Sequence, residues 1–357
     1  MPRPIRAEIN LRALKHNLHR VAALAGDAQL WAVIKANAYG HGIENVLPAL
    51  GSASGLALLD FDEAVRARES GWTRPILLLE GFFHPADLKL IERYQLTTAV
   101  HSEWQLNALE TYRPAVPFPV YLKINTGMNR LGFPVEQALR ICQLAQRSKA
   151  IGDITLMSHF SRADEKEGVS EPEAAIRHIA DETGLPLCIA NSAATLWHHE
   201  TRNGWVRPGI ILYGASPSGV FNDISNLGVQ PVMSLKSEVI AVQPLRPGSS
   251  VGYGGRYIAT GEERIGIVAC GYADGYPRQA ASGTPVSING RLTQTRGTVS
   301  MDMIAIDLTA FPQAGIGTGV ELWGEHLPVD TVAGHAGTIG YELLSAVTPR
   351  VPRIIVD

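Results

Sequence analysis

Leu30–Gly42 reads LWAVIKANAYGHG, and the reading of this stretch decides the fold. Five mostly apolar residues, Leu30 to Ile34, run as a buried strand would. They deliver a lysine, Lys35, at the point where the chain turns away through Asn37, Gly40 and Gly42. An uninterrupted apolar run of this length belongs to a parallel sheet covered by helices on both faces. The end of such a strand is either solvated or aimed into a site. An open, doubly wound sheet would place a glycine-rich phosphate fingerprint after its first strand. KANAYGHG contains no GxGxxG, so a closed barrel is the preferred architecture.

The next stretches repeat the alternation. GLALL precedes FDEAVRARESG, PILLLE precedes PADLKLIERY, and TTAV precedes SEWQLNALETY; VYLKIN, ITLMSH, LCIAN and WVR follow with helical segments between them. Those segments space their apolar residues by three and four, as at Ala138, Ile141, Cys142 and Ala145. Counted from WAVIK there are eight β/α units, the number that closes a TIM-type (β/α)8 barrel, over about residues 11–230. AEIN is then a spare strand, and residues 1–10 are expected to join a second domain. That domain, residues 231–357, reads as mainly β: EVIAVQPL, IGIVACGY, PVSING and VSMDMIAIDL are short runs separated by Gly and Pro. Asn289-Gly290 is a hairpin signal, and Ser216 to Gly228 is the expected linker.

Composition narrows the function. The 357 residues exceed one ordinary core, and 45% hydrophobic with 18% charged residues is the profile of a soluble enzyme-sized chain. A formal net charge of −3 without a basic run argues against nucleic acid or an anionic membrane as partner. MPRPIRAEINLR lacks the apolar core of a signal peptide, and no later run is long enough to cross a bilayer, so a cytoplasmic protein is expected. Cys142, Cys188 and Cys270 fit no metal or disulfide spacing, and no metal is expected.

Barrels keep their reactive groups at the C-terminal ends of strands. Lys35, Lys123, His159, Asn191 and Arg207 fall at or just beyond five such ends. Taken singly, each has an ordinary reading: a solvated strand end, a hydrogen-bonded core histidine, a salt bridge. Their convergence on one rim calls for a ligand, preferably anionic. IANSAA and VRPGIILYG occupy the two last units, where barrels bind phosphate against the start of a short helix. Ser192 can supply a hydroxyl there, and Gly209 and Ile210 backbone N–H groups. A strand-end lysine and a phosphate cradle on one rim point to pyridoxal 5'-phosphate.

With these motifs in place the chain resembles the alanine racemases, essentially end to end. AVIKANAYGHG resembles the family's pyridoxal-lysine motif, which implies that Lys35 is the Schiff-base residue and Tyr39 a phosphate ligand. YLKINTGMNRLGF matches the segment carrying Lys123 and Arg130. SHFSRAD supplies His159, NSAA supplies Ser192, and VRPGIILYG supplies Arg207, Gly209 and Ile210. VGYGGRY resembles the motif of the second catalytic base, Tyr253; SMDM supplies Met301 and Asp302, and IGYELL supplies Tyr341. The resemblance implies interconversion of L- and D-alanine by two bases on opposite faces of the cofactor, Lys35 on the D-alanine face and Tyr253 on the L-alanine face. It places His159 against Tyr253, and Arg207 between His159 and the pyridine nitrogen. Arg130 and Met301 lie on the substrate-carboxylate side, and Lys123 is a candidate for carbamylation. It also implies a head-to-tail homodimer in which Tyr253, Met301 and Asp302 enter the partner's barrel. The chain departs from the family's common pattern at Asn125, where an aspartate is frequent, and at Thr298, where an arginine is.

Physical chemistry makes demands on these residues. Lys35 must titrate well below the usual lysine value of about 10.4 to act as a base. An arginine at the pyridine nitrogen donates a hydrogen bond but does not give up its proton, so the cofactor is a weaker electron sink than one paired with a carboxylate. That suits racemisation and disfavours a barrel decarboxylase, which places an acid there. Tyr272, Tyr276 and Tyr341 are candidates for narrowing the pocket to a methyl-sized side chain. A broad-specificity racemase keeps every one of these residues with a wider constriction. A cofactor carrier without turnover has no need of Tyr253.

Overall fold

The strand left spare by the count is β1 (Arg6–Asn10), followed by helix α1 (Leu11–Ala25). In the computed structural model, which describes residues 3–357, eight parallel strands then close into a barrel. They are β2 (Gln29–Val33), β3 (Gly55–Leu58), β4 (Ile76–Leu78), β5 (Thr97–Val100), β6 (Phe118–Asn125), β8 (Ile151–Met157), β9 (Leu187–Ala190) and β10 (Trp205–Val206). A two-residue β7 (Phe133–Pro134) lies beside β6. Closure is made where Trp205 and Val206 pair with Gln29 and Leu30, and where β5 pairs with β6. All four residues of β3, β5 and β9 are buried, which is why β3 (GLAL) and β9 (LCIA) read as unbroken apolar runs rather than alternating ones.

The helices that wrap the barrel include α2 (Phe61–Glu69), α3 (Glu103–Tyr112), α4 (Val135–Arg147), α5 (Ser170–Thr183) and α6 (Ser192–Trp197). Helix α4 buries Ala138, Ile141, Cys142 and Ala145, the spacing picked out in the sequence. Helix α2 starts where the Asp60 side chain accepts a hydrogen bond from the Asp62 N–H at 2.7 Å, with Asp62 and Glu63 in its first turn.

Beyond the barrel the chain forms an eight-stranded sheet. Its spine is the long strand β11 (Met233–Leu245), which is antiparallel to β1, to β14 (Glu263–Val268) and to β18 (Gly319–Trp323). β1 lies between β11 and the last strand, β19 (Arg353–Val356), so the first and last strands meet in one sheet. A separate ribbon pairs β12 (Ser250–Val251) with β13 (Tyr257–Ile258). β15 (Pro285–Ile288) and β16 (Arg291–Gln294) are joined by Asn289 and Gly290, both at positive φ, the two-residue hairpin that Asn-Gly favours. β17 (Ile304–Asp307) pairs with β14.

The chain divides into a barrel unit, Leu18–Ala38 with Val46–Leu212, and a β unit made of the N-terminal residues through Asn17, Tyr39–Asn45 and Tyr213–Asp357. The segment expected as a linker groups with the β unit. Ser216 is fully buried there, and its N–H donates to Asp330 Oδ2 at 2.8 Å.

Candidate active site

The barrel rim collects basic groups. Lys35 lies two residues past β2, Lys123 two residues before the end of β6, His159 two residues past β8, and Arg207 immediately after β10. Their placement follows from the barrel rule: parallel strands point the same way, so residues at their C-terminal ends converge. Lys123 is 8% exposed and Arg207 5%. Arg207 donates to the Cys188 and Ser158 carbonyls and to Cys188 Sγ at 3.1 Å, which locks its guanidinium under the rim. Neither lysine amine makes a hydrogen bond with a described residue.

Burial and the rim's cations together outweigh the opposing carboxylate, Glu80, at both lysines. Burial pushes the Lys35 amine down from its usual range; Arg130 adds to that, Glu80 opposes it, and Arg207 adds again. Lys123 is lowered to about 8, first by burial and then by Arg207 and Arg130. His159 is held well below the ordinary histidine value by burial and then by Arg207, Arg130, Lys123 and Lys35, which keeps its ring neutral. Arg130 itself is exposed. Glu80, just beyond β4, and His101, just beyond β5, belong to the same field and were not singled out in the sequence. The signal was there: PILLLE and TTAVH end in these residues by the same strand-end rule that found Lys35.

Lys35 opens the turn expected from the sequence, but with a hand that the sequence does not signal. Ala36, Asn37, Ala38 and Tyr39 all have φ between 50 and 56°, a left-handed helical turn built without glycine. An L-residue in this region costs about 1–2 kcal/mol. The turn is gripped by helix α2: the Asn37 N–H donates to Glu63 Oε1 at 2.5 Å, and Arg66 donates to Asn37 Oδ1 at 2.9 Å. Strain held by surrounding structure is common at functional sites.

At the expected phosphate cradle, Ser192 opens α6 and Ile210 opens a 3₁₀ turn, Ile210–Tyr213. The Gly209 N–H donates to Ser192 Oγ at 2.8 Å. Asn191, in contrast, serves the local structure. Its side chain caps α6 by accepting from the Ala194 N–H at 3.0 Å, and it donates to the Phe160 carbonyl. The donor set suits pyridoxal phosphate. A largely buried rim carries Lys35, Lys123, Arg207 and His159 with Glu80 as the opposing carboxylate, so an anionic aldehyde finds hydrogen-bond donors, countercharge and a depressed amine together.

The remaining candidates lie in the β unit. Tyr39 is 6% exposed and packs against Tyr213 and Tyr341, with ring centroids 4.8 and 6.1 Å away. Burial, and Tyr341 after it, push its hydroxyl pKa up. Tyr253 stands at the tip of the β12–β13 ribbon, 77% exposed, and Met301 is 53% exposed. Asp302 is already engaged, accepting from Arg3 at 3.1 Å and Arg350 at 2.5 Å; Arg350 first and Arg3 after it keep its carboxyl below the usual range. The same two arginines hold Asp274. Of the tyrosines considered for a constriction, Tyr276 is a core residue, 1% exposed and stacked on Trp323, whereas Tyr272 is partly exposed.

A closed barrel with a rim lysine set among cations, trailed by a mainly β unit, defines a class of barrel amino-acid racemase. Residues 9–217 match the family described as "Alanine racemase, N-terminal domain" and residues 232–355 that described as "Alanine racemase, C-terminal domain". The chain is 56% identical over 352 residues to an alanine racemase of Erwinia tasmaniensis, covering 99% of both chains. It is 56% identical over 355 residues to a protein of Salmonella typhimurium named "Alanine racemase, catabolic", again covering 99% of both. The crystal structure of biosynthetic alanine racemase from Pseudomonas aeruginosa matches with a TM-score of 0.95 at 39% identity, covering 99% of this chain and 100% of that one. The chain belongs to the alanine racemase family.

Proposed function

We propose that this chain interconverts L- and D-alanine with pyridoxal 5'-phosphate bound at the barrel rim, Lys35 and Tyr253 being the two proton-transfer groups. The observation that carries the reading is Lys35: a depressed amine at a strand end, among cations, on a strained turn. Pyridoxal phosphate, when bound, acidifies the α-proton of an amino acid by withdrawing electrons from the α-carbon. Everything else falls to the chain's own residues. Ser192, Gly209, Ile210 and Tyr39, with Tyr341 behind it, would hold the phosphate. Arg207 would donate to the pyridine nitrogen while keeping its own proton, which would limit electron withdrawal and favour return of the α-proton over other outcomes.

Lys35 takes or returns the proton on the D-alanine face, and its lowered pKa makes the neutral amine more available at the working pH. Tyr253 does the same on the L-alanine face, and His159, kept neutral by its cationic neighbours, is suited to accept a hydrogen bond from the Tyr253 hydroxyl. Arg130 and the Met301 backbone orient the substrate carboxylate, with Asp302 holding that turn. Lys123, with its pKa at about 8, carries enough neutral amine to be carbamylated, and the resulting anion holds Arg130.

The barrel unit, Leu18–Ala38 with Val46–Leu212, would serve the cofactor, and the β unit, which contains β1 and Tyr213–Asp357, would supply the second base. In a head-to-tail homodimer the ribbon of one protomer enters the barrel of its partner. The exposure of Tyr253 and Met301, two large side chains on one unit, supports that arrangement. No described helix is long and apolar enough to cross a membrane, and a cytoplasmic location fits the chain's three unpaired cysteines.

The test is incubation of cofactor-loaded protein with L-alanine in heavy water. Deuterium entering the α-position while D-alanine grows to an equal mixture is expected. Absence of exchange with a lysine-bound cofactor would turn the reading toward another amino acid or a carrier.

A further inference from the structure

The β12–β13 ribbon presents Tyr253 but holds itself poorly. It has two residue pairs, Ser250 with Ile258 and Val251 with Tyr257, and its tip runs Gly252-Tyr253-Gly254-Gly255 with all three glycines at positive φ. An isolated hairpin this short is not stable in water. Something outside it must fix the direction of Tyr253, and the structure offers a specific clamp at its base.

Tyr257, the residue that closes the ribbon opposite Val251, donates its hydroxyl to Glu263 Oε2 at 2.6 Å. The guanidinium carbon of Arg296 lies 4.7 Å from the centre of the Tyr257 ring. Arg296 donates to Asp307 Oδ2 at 2.6 Å, and its Nε lies 3.9 Å from Glu263 Oε2. The side chains of Arg296, Glu263 and Asp307 are each 17% exposed or less, so this is a largely buried cluster rather than a surface pair. Next along the chain, a Cβ on Gly297 would lie 2.9 Å from the Val251 carbonyl oxygen. The backbone therefore abuts the ribbon right beside the arginine. Five residues beyond Arg296 stands Met301.

We infer that Arg296 and Tyr257 are positioning residues for proton transfer at Tyr253, acting as the anchor that sets the ribbon's direction. The inference rests on the proposed racemisation, and it deepens it by naming what aims the second base. Neither residue touches the substrate. Arg296 fixes the Tyr257 ring from above by a cation–π contact while Asp307 and Glu263 fix both from the sheet. Because a misplacement of about 1 Å at a reacting group costs roughly 100-fold in rate, a base on so short a ribbon depends on its anchor.

The test compares Arg296→Leu, Arg296→Lys and Tyr257→Phe with the unaltered holoenzyme, using alanine deuterated at the α-position. Breaking the C–D bond of L-alanine reports the step at Tyr253; breaking that of D-alanine reports the step at Lys35. In Arg296→Leu, kcat/KM should fall by about 100-fold. The isotope effect on labelled L-alanine should rise, while that on labelled D-alanine falls. Arg296→Lys keeps the cation over the ring and should recover part of the rate; Tyr257→Phe keeps the ring, loses the bond to Glu263 and should lie between. A general loss of folded enzyme lowers the rate in both directions and moves neither isotope effect; that result, or an unchanged rate in Arg296→Leu, would overturn the inference.

If the unaltered protein exchanges no α-proton at all, the functional reading falls and the anchor is decided separately. Backbone hydrogen exchange over residues 250–258 should then be faster in Arg296→Leu than in the unaltered protein. Equal exchange would overturn it.

Discussion

Replacing Glu63 by alanine should loosen cofactor binding without altering any group proposed to touch the cofactor. The left-handed turn after Lys35 is the reason. Four successive residues without a glycine sit at φ of 50 to 56°, each costing about 1–2 kcal/mol relative to an ordinary conformation, with Asn37 the most tolerant of them. Such a turn persists only if its surroundings outweigh that cost. Glu63 supplies a carboxylate oxygen to the Asn37 N–H at 2.5 Å, and a hydrogen bond to a charged acceptor contributes about 1.5–3 kcal/mol. Removing it lowers the population of chains with the lysine correctly presented, and apparent affinity falls in proportion to that population.

At about 1.4 kcal/mol per factor of ten, the expected weakening is roughly 10- to 100-fold. Glu63→Gln retains an acceptor oxygen and should lose less. The second carboxylate oxygen of Glu63 is buried without a hydrogen-bond partner, so an amide nitrogen placed there gains nothing. The assay is titration of the cofactor-free protein with pyridoxal phosphate, followed by the absorbance of the lysine-bound chromophore, beside a thermal melt of each apoprotein. Binding by Glu63→Ala within about twofold of the unaltered protein, at an unchanged melting temperature, would refute the claim that this contact holds the turn.

Three further outcomes are expected. Tyr253→Phe should impair removal of the α-proton from L-alanine more than it weakens binding; near-normal and equal exchange from both enantiomers would remove Tyr253 from its role. In Arg207→Gln the His159 ring should titrate higher, though still below an ordinary histidine because burial is the larger cause, and an unmoved NMR titration would contradict the proposed field. Asp330, 2% exposed, is pushed up from 3.8 to about 6 by burial, against a backbone hydrogen bond from Ser216. Its folded pKa is raised, so the stability it contributes is full below about pH 4 and is lost as pH rises through about 6, a change of about 3 kcal/mol. Asp330→Asn should flatten that slope in denaturant titrations spanning about pH 4 to 7, and identical slopes in the two proteins would count against it.

The barrel is legible in the sequence because its strands are short, buried on both faces and separated by helices of regular apolar spacing. Period and length are local properties, and Lys35, Lys123, His159 and Arg207 inherit their place on the rim from them. What escaped was set by contacts distant in sequence. KANAY has the composition of a turn or of a helix start, and nothing in those residues signals a left-handed turn that depends on Glu63 and Arg66. Asp302 is adjacent to Met301 in the motif, yet its carboxylate is claimed by Arg3, 299 residues earlier, and by Arg350. CGYADGYPR holds both Tyr272 and Tyr276, and only packing on Trp323 separates the buried Tyr276 from the partly exposed Tyr272. Glu80 and His101 were open to the same reading, since each follows a strand by the rule already applied to its neighbours.

Charge balance on the rim ties these residues into one device. Lys35, Lys123, Arg130 and Arg207 face Glu80, so each amine holds its proton less firmly because of the other cations as well as burial. A guanidinium is effectively always protonated in a protein. It is therefore the amines that yield. On the proposed reading an arriving phosphate would shift the field the other way, and a carbamate on Lys123 would replace a cation by an anion. In the proposed holoenzyme the amine of Lys35 would sit between arginines that favour its neutral form and anions that favour its protonated form. A group required both to take up and to release a proton is best placed between such opposing fields, near the pH at which it works. Burial alone would drive the amine down without that balance, which is why the arginines and the anion sites have to be considered together with the lysine.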